Sequence, residues 1–383
     1  MTTQAFINGR VLAGAEPEAG LAVLVEDGRI LNVVRDSDPQ IAKAQRHDLD
    51  GALLLPGFID TQVNGGGDVL FNDTPTVDSV RRIAAAHARY GSTGLLPTLI
   101  SDDLAVMRRA VEAVDAAITQ AVPGVLGIHL EGPFLSTQRR GVHDAAKIRA
   151  IDAEGVEIAT ALKRGRTLLT LAPECVDTAI IRELTARGVI VAAGHTAASY
   201  EQVRAGLAAG IRGFTHLFNA MTPLTSREPG AVGAALDDAA SWCGLIIDGH
   251  HVHPATLRAA IRAKAPGKMI LVTDAMPPVG GESPEFRLGN EIAVCRDGIC
   301  LTPGGTLAGS CLDMAGAVRN TMEMLGLSLG EAVRMASAYP AAFLGLEATH
   351  GRIAPGYRAD FVVANDALDV KQTWIGGVRA YAA

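Results

Sequence analysis

The feature that most restricts what this chain can fold into is a unit that returns eight times between about residue 53 and residue 276. Each copy is a short aliphatic or β-branched run, then a polar residue, then a helical stretch. The strand candidates are "ALLLPGFIDTQ", "STGLLPTLI", "VLGIHLEGPF", "TLLTLAPE", "VIVAAGHT", "GFTHLFNAM", "CGLIIDGHHV" and "KMILVTDAM". Amphipathic segments such as "VDSVRRIAAAHARYG" and "DLAVMRRAVEAVDAAITQ" lie between them, with acidic or small residues at their starts. Nearly continuous apolar strands alternating with helices require a parallel sheet covered on both faces, and eight units close a (β/α)₈ TIM-type barrel. An open doubly wound sheet is the competing architecture, but no Gly-rich phosphate loop opens the first helix.

The two ends of the chain alternate instead. "AFINGRVL" and "LAVLVEDGRILNVV" flank a "DGR" turn, and the tail "GRIAPGYRADFVVAN" reads the same way. Both termini are therefore expected to share a small β-sandwich domain, its first part over residues 1–52 and its second over 347–383. The barrel occupies 53–346, with a hairpin insertion near 285–303 carried by "EFRLGNEIAVCRDGICLTPGG".

Seven of the eight strand segments end in a residue able to bind or react: Gln62, Glu131, Glu174, His195, His216, Asp248 and Asp274. A barrel builds its active site at that C-terminal mouth. In "GIHLEG" the period of two puts His129 and Glu131 on one side of the strand. A carboxylate buried there without compensation costs several kcal/mol. Glu131 with His195 and His216 can hold a divalent ion and leave a position open for water, whereas any one of these histidines alone reads as a hydrogen-bonded structural residue. Asp274 is placed to move a proton, with an N-cap or a hydrogen-bond acceptor for a ligand histidine as the bland reading.

More polar groups gather in loops: Arg139, Arg140 and His143 in "RRGVHD", Asn219 and Arg227 in "NAMTPLTSREPG", His250, His251 and His253 in "DGHHVHP", and the backbone of "LAGS". Guanidinium and imidazole groups suit an anionic, hydroxylated ligand. The default for loop arginines is plain solvation, and a His-rich metal cluster is the weakest reading of the histidine run. Charge points away from nucleic acid: the net formal charge is -7, with no dense run of lysine or arginine. No secretory leader or membrane-length apolar run is visible, so a cytoplasmic protein is expected. The five cysteines, scattered and without a C-x-x-C pair, read as reduced core thiols.

Taken in order, "PGFIDTQVNG", "HLEGPF", "AAGHT", "FTHLFNAM", "DGHH", "LVTDAM", "GTLAGS" and the tail "GRIAPGYRADFV" resemble the amidohydrolase superfamily over nearly the whole chain. "HLEGPF" and "THLFNAM" resemble, within it, the N-acetylglucosamine-6-phosphate deacetylase family. The resemblance implies metal ligands Glu131, His195 and His216, a general base and acid in Asp274, and a carbonyl-polarising His143. It also implies a sugar-phosphate site lined by Val142, His143, Asn219, Ala220, Arg227, His251, Leu307, Ala308 and Gly309, and a homodimer in which Arg227 reaches the neighbouring active site. Where two-metal amidohydrolases carry H-x-H after the first strand, this chain has Gln62 and Asn64. Amides are poor zinc ligands, so one divalent metal per subunit is expected, zinc first, with iron, manganese or cobalt as alternatives. The expected reaction is hydrolysis of the N-acetyl group of N-acetylglucosamine 6-phosphate. The alternatives are another amidohydrolase, acting on the galactosamine epimer or a cyclic amide, and a non-catalytic sugar-phosphate sensor.

Overall fold

The computed structural model describes residues 3–289 and 291–383. Eight strands pair in parallel and in chain order: β1 (Phe58–Val63), β2 (Ser92–Ile100), β3 (Gly127–Glu131), β4 (Arg166–Leu171), β5 (Ile190–Ala193), β6 (Gly213–Phe214), β7 (Trp242–Leu245) and β8 (Met269–Leu271). The last meets the first through a parallel bridge between Ala275 and Val63, which closes the ring. Strand residues such as Ile128, Leu130, Leu169 and Val191 are fully buried against the surrounding helices in one apolar cluster, so side chains of the opposite phase fill the barrel interior. Helix starts follow their caps. Thr76 accepts from the Ser79 amide ahead of Val77–Ala88, and Ser199 and Gln202 form a reciprocal capping box ahead of Tyr200–Ala209. Among the described residues no helix is long and apolar enough to cross a membrane.

The terminal strands form one eight-stranded sheet. Its seam differs from the sequence reading. Leu53–Pro56, grouped there with the first barrel strand, pairs parallel with Gln4–Val11 and antiparallel with Phe361–Ala364, joining the two ends of the chain. Gly57 then turns the chain into the barrel, and its Cα packs so close to Thr93 that an added Cβ would lie 2.1 Å from that hydroxyl. Phe6, Phe361 and Trp374 stack edge to face within the terminal unit, in a cluster with Val23, Val25 and Leu54.

The insertion is larger than a hairpin. Four antiparallel strands, β9 (Glu285–Leu288), β10 (Glu291–Arg296), β11 (Ile299–Leu301) and β12 (Leu307–Ser310), form a sheet over the barrel mouth. Asp297 and Gly298, both at positive φ, make the tight turn between β10 and β11. Strand β12 ties the sheet to the end of the last barrel segment, where the Ser310 amide donates to the Asp274 carbonyl and the Met276 amide to the Ser310 carbonyl.

The cysteines do not all behave as reduced core thiols. Cys295 and Cys300 stand directly opposite each other on β10 and β11 and are joined by a disulfide, Cys175 is exposed, and Cys311 is half-buried. Only Cys243 is a free buried thiol, pushed up to about 12 by burial. What brings 295 and 300 together is the register of the turn between them, which a search for paired C-x-x-C spacing does not detect.

Candidate active site

Strand β3 presents His129 and Glu131 to the barrel interior, both buried, while β5 and β6 run directly into His195 and His216. Glu131 Oε1 lies 3.0 Å from His195 Nε2 and 2.9 Å from His216 Nε2. The two Nε2 atoms are themselves 3.0 Å apart. His195 Nδ1 donates to the Arg139 carbonyl, 2.9 Å away, which turns Nε2 toward Glu131 and leaves it free to act as a ligand atom when the ring is neutral. Two imidazole nitrogens and a carboxylate oxygen converging this closely repel one another unless a proton or a cation sits among them. The donor set and the carbonyl-fixed tautomer of His195 therefore fit a divalent metal. The chain is strained to achieve this: His195 (φ 46°), His216 (φ 32°) and Asp274 (φ 54°) all adopt left-handed backbone.

The amides in the H-x-H positions act as donors. Gln62 Nε2 lies 3.1 Å from both Glu131 Oε2 and Asp274 Oδ1, and Asn64 Nδ2 lies 2.6 Å from Asp274 Oδ1. They hold a ligand carboxylate and the candidate base side by side, and Glu131 is kept ionised by its two histidine partners against the opposing effect of burial. Asp274 is pushed up to about 6 by burial first and by the Glu131 charge second. Beneath it Asp60, pushed up to about 7 by burial, accepts from the Thr273 hydroxyl and amide and from the Gln62 amide, so it fixes both neighbouring segments.

His143 sits across the site, its ring 4.3 Å from that of His195. Its Nδ1 accepts from the Ser101 amide at 3.2 Å and lies 2.7 Å from the Ser101 hydroxyl. Burial, with His195 beside it, holds its pKa well below the ordinary histidine value. A neutral ring with Nδ1 accepting must carry its proton on Nε2, which leaves that N–H as a donor. Deeper in the barrel, His129 is bonded between Thr98 (3.2 Å) and Thr170 (2.8 Å), a structural arrangement with both ring nitrogens used.

A cavity of about 530 Å³ opens over these groups. Val142, His143, Asn219, Ala220, His251, Leu307 and Gly309 line it together with the three ligand candidates and Asp274. Asp248 Oδ2, 2.6 Å from His251 Nδ1, orients the His251 ring. Two residues named from the sequence stand elsewhere. The Ala308 side chain is fully buried in the apolar cluster under the lid sheet, and Arg227 lies on an exposed loop outside the cavity. The structure adds Gln138, Ile100 and Met276 to the walls and Ser101 as the partner that sets the His143 tautomer. Ser101 immediately follows β2, a barrel-mouth position, but it carries no chemistry of its own to mark it.

A family model described as "Amidohydrolase family" matches residues 53–380. An N-acetylgalactosamine-6-phosphate deacetylase of Shewanella sp. (strain ANA-3) is 44% identical over 364 residues, covering 94% of this chain and 92% of the relative. The human N-acetylglucosamine-6-phosphate deacetylase is 38% identical, covering 97% and 94%. Among solved structures, the crystal structure of N-acetylglucosamine-6-phosphate deacetylase from Pasteurella multocida superposes with a TM-score of 0.95 at 32% identity over 100% of both chains.

Proposed function

We propose, from the premise that this chain belongs to the amidohydrolase family and within it to the amino-sugar 6-phosphate deacetylases, that it hydrolyses the N-acetyl group of N-acetylglucosamine 6-phosphate to glucosamine 6-phosphate and acetate. The observation that carries the reading is the convergence of Glu131, His195 and His216 beside Asp274 in one cavity. A silent sugar-phosphate sensor has no use for a strained, buried base held by two amides.

Glu131, His195 and His216 would hold one divalent ion, zinc first and iron, manganese or cobalt next, which when bound supplies Lewis acidity to water and to the acetyl carbonyl. Asp274, ionised at neutral pH, takes the proton from the attacking water and returns it to the departing amine. Gln62 and Asn64 hold the carboxylate in place during both transfers. The His143 Nε2–H donates to the carbonyl oxygen as negative charge develops there. Val142, Asn219, Ala220, His251 and the backbone through Leu307, Ala308 and Gly309 shape the sugar site. Arg227 serves the phosphate of a second copy's substrate in a homodimer. Its exposure outside its own cavity supports that arrangement. A sugar phosphate does not cross a bilayer unaided, which favours a cytoplasmic setting.

The second reading is the galactosamine epimer, favoured by the 44% identity of the Shewanella relative. Acetate release from both sugar phosphates, compared by kcat/KM, tests the proposal: higher efficiency with the glucosamine compound supports it. Higher efficiency with the galactosamine compound selects the second reading, and no release from either overturns both.

A further inference from the structure

Three sulfurs meet under the lid sheet, in an apolar cluster that shares Met276 and Leu288 with the wall of the catalytic cavity, though none of the sulfurs lines that cavity. Cys295 and Cys300 lie buried on β10 and β11 amid Leu70, Met276, Phe286 and Ala308, and half-buried Cys311 follows β12 directly. All three sulfur atoms fall within 4.8 Å of one another. Thiolates around one zinc-sized ion, with bonds of about 2.3 Å, stand about 3.8 Å apart. Cys311 already lies within 4.8 Å of the other two, and the Cys295 and Cys300 sulfurs, bonded to each other, have to swing apart on reduction to reach the spacing of metal-bound thiolates. The free thiols Cys175 and Cys243 belong to neither this cluster nor its strands. An imidazole also stands beside the turn that joins the first two cysteines, since a Cβ on Gly298 would lie 3.3 Å from His250 Nε2.

We propose that reduction of the Cys295–Cys300 bond opens a second metal site on the lid, in which Cys295, Cys300 and Cys311 bind one soft divalent cation. A dithiol reductant supplies two electrons and two protons, becoming a disulfide as the Cys295–Cys300 bond breaks to two thiols. The three thiols then release three protons as the cation binds, so affinity rises with pH. Burial, with Asp248 and Asp313 nearby, raises the Cys311 pKa, so a cation beside it is what favours the thiolate. Occupied, the site ties the end of β12 to β10 and β11. Leu307 and Gly309 on that strand line the substrate cavity, so its position matters to the sugar.

Cadmium is the probe. The intact protein is treated with a phosphine reductant, which is then removed, and is titrated with Cd²⁺ while the ultraviolet thiolate-to-cadmium charge-transfer band is followed. Glu131, His195 and His216 hold no sulfur and give no such band. The expected result is a band that saturates at one thiolate-bound Cd²⁺ per chain in the reduced protein and is absent without reduction. Cys311→Ser and Cys300→Ser, read separately, should each weaken apparent affinity at least tenfold, whereas Cys175→Ser should leave the band unchanged. Absence of the band in reduced wild-type protein overturns the proposal without reference to any variant. A wild-type band that neither Cys311→Ser nor Cys300→Ser diminishes also overturns it.

Discussion

Replacement of Asp274 by Asn separates proton transfer from everything else the site does. Gln62 Nε2 at 3.1 Å and Asn64 Nδ2 at 2.6 Å both donate to Oδ1, and the Asn carbonyl oxygen can accept from both, which leaves the amide nitrogen where Oδ2 stood. The loop is retained and the metal ligands are untouched. The carboxylate lost is one that burial and Glu131 had pushed up to about 6, so its removal relieves a buried charge and does not weaken the fold. What disappears is the base. A positioned general base contributes about 10² to 10⁴ in rate, which at 1.36 kcal/mol per decade is about 2.7 to 5.4 kcal/mol of barrier. Asp274→Asn should therefore lower kcat for acetate release by two to four decades with metal content and calorimetric substrate affinity near wild type. A variant retaining kcat within tenfold of wild type would falsify the assignment.

Four further outcomes follow from the same geometry. Asp274 acts only when ionised, and a bound cation adds to the lowering effect of His216, so kcat/KM should fall as pH drops through about 6 or below; an acid limb centred above about 7, beyond an ordinary histidine, would contradict it. His143→Ala should cost about 10² to 10³ in kcat, the usual loss for one oxyanion donor, with KM little changed; a pure KM effect would assign the ring to binding alone. Arg227→Ala should raise KM for the phosphorylated sugar, leave kcat nearly unchanged and spare turnover of the unphosphorylated sugar, measured by initial rates; equal losses on both sugars would remove Arg227 from the phosphate. His87, buried with Nε2–H donating to the Gly65 carbonyl at 2.9 Å, is held down to about 4 by burial. The unfolded chain then binds more protons between about 4 and 6.5, so stability present above about 6.5 is lost as pH falls toward 4, by on the order of 3 kcal/mol from this ring; buried His129 and His143 add slope of the same sign, so urea unfolding of His87→Gln across that range should show a slope shallower than wild type by about one proton, and an unchanged slope would refute the assignment.

The sequence exposes the barrel because its strands are apolar on both phases and break at a polar residue. It exposes the metal candidates because those breaks recur at one end of the strands. Residues whose contribution runs through the backbone are harder to see. The Arg139 carbonyl that fixes the His195 tautomer and the Ser101 amide that fixes His143 leave no mark in residue type. Leu53–Pro56 joins the terminal sheet, yet reads as barrel because its apolar run continues across Gly57 with no polar residue to mark the seam. The fourth lid strand and the Cys295–Cys300 pair depend on turn register, which forms only once the antiparallel ladder does. Ala308 shows another limit: motif position places its backbone beside the cavity but does not say that its side chain turns into the apolar cluster under the lid sheet.

The most direct test of the account is metal content per chain by elemental analysis, on protein prepared without reductant so that Cys295 and Cys300 stay paired, in the same preparation assayed for acetate release from N-acetylglucosamine 6-phosphate. The account predicts about one divalent ion per chain, turnover lost on chelation and restored by adding back the ion. Full turnover in metal-free protein, or a requirement for two ions per chain, would contradict it.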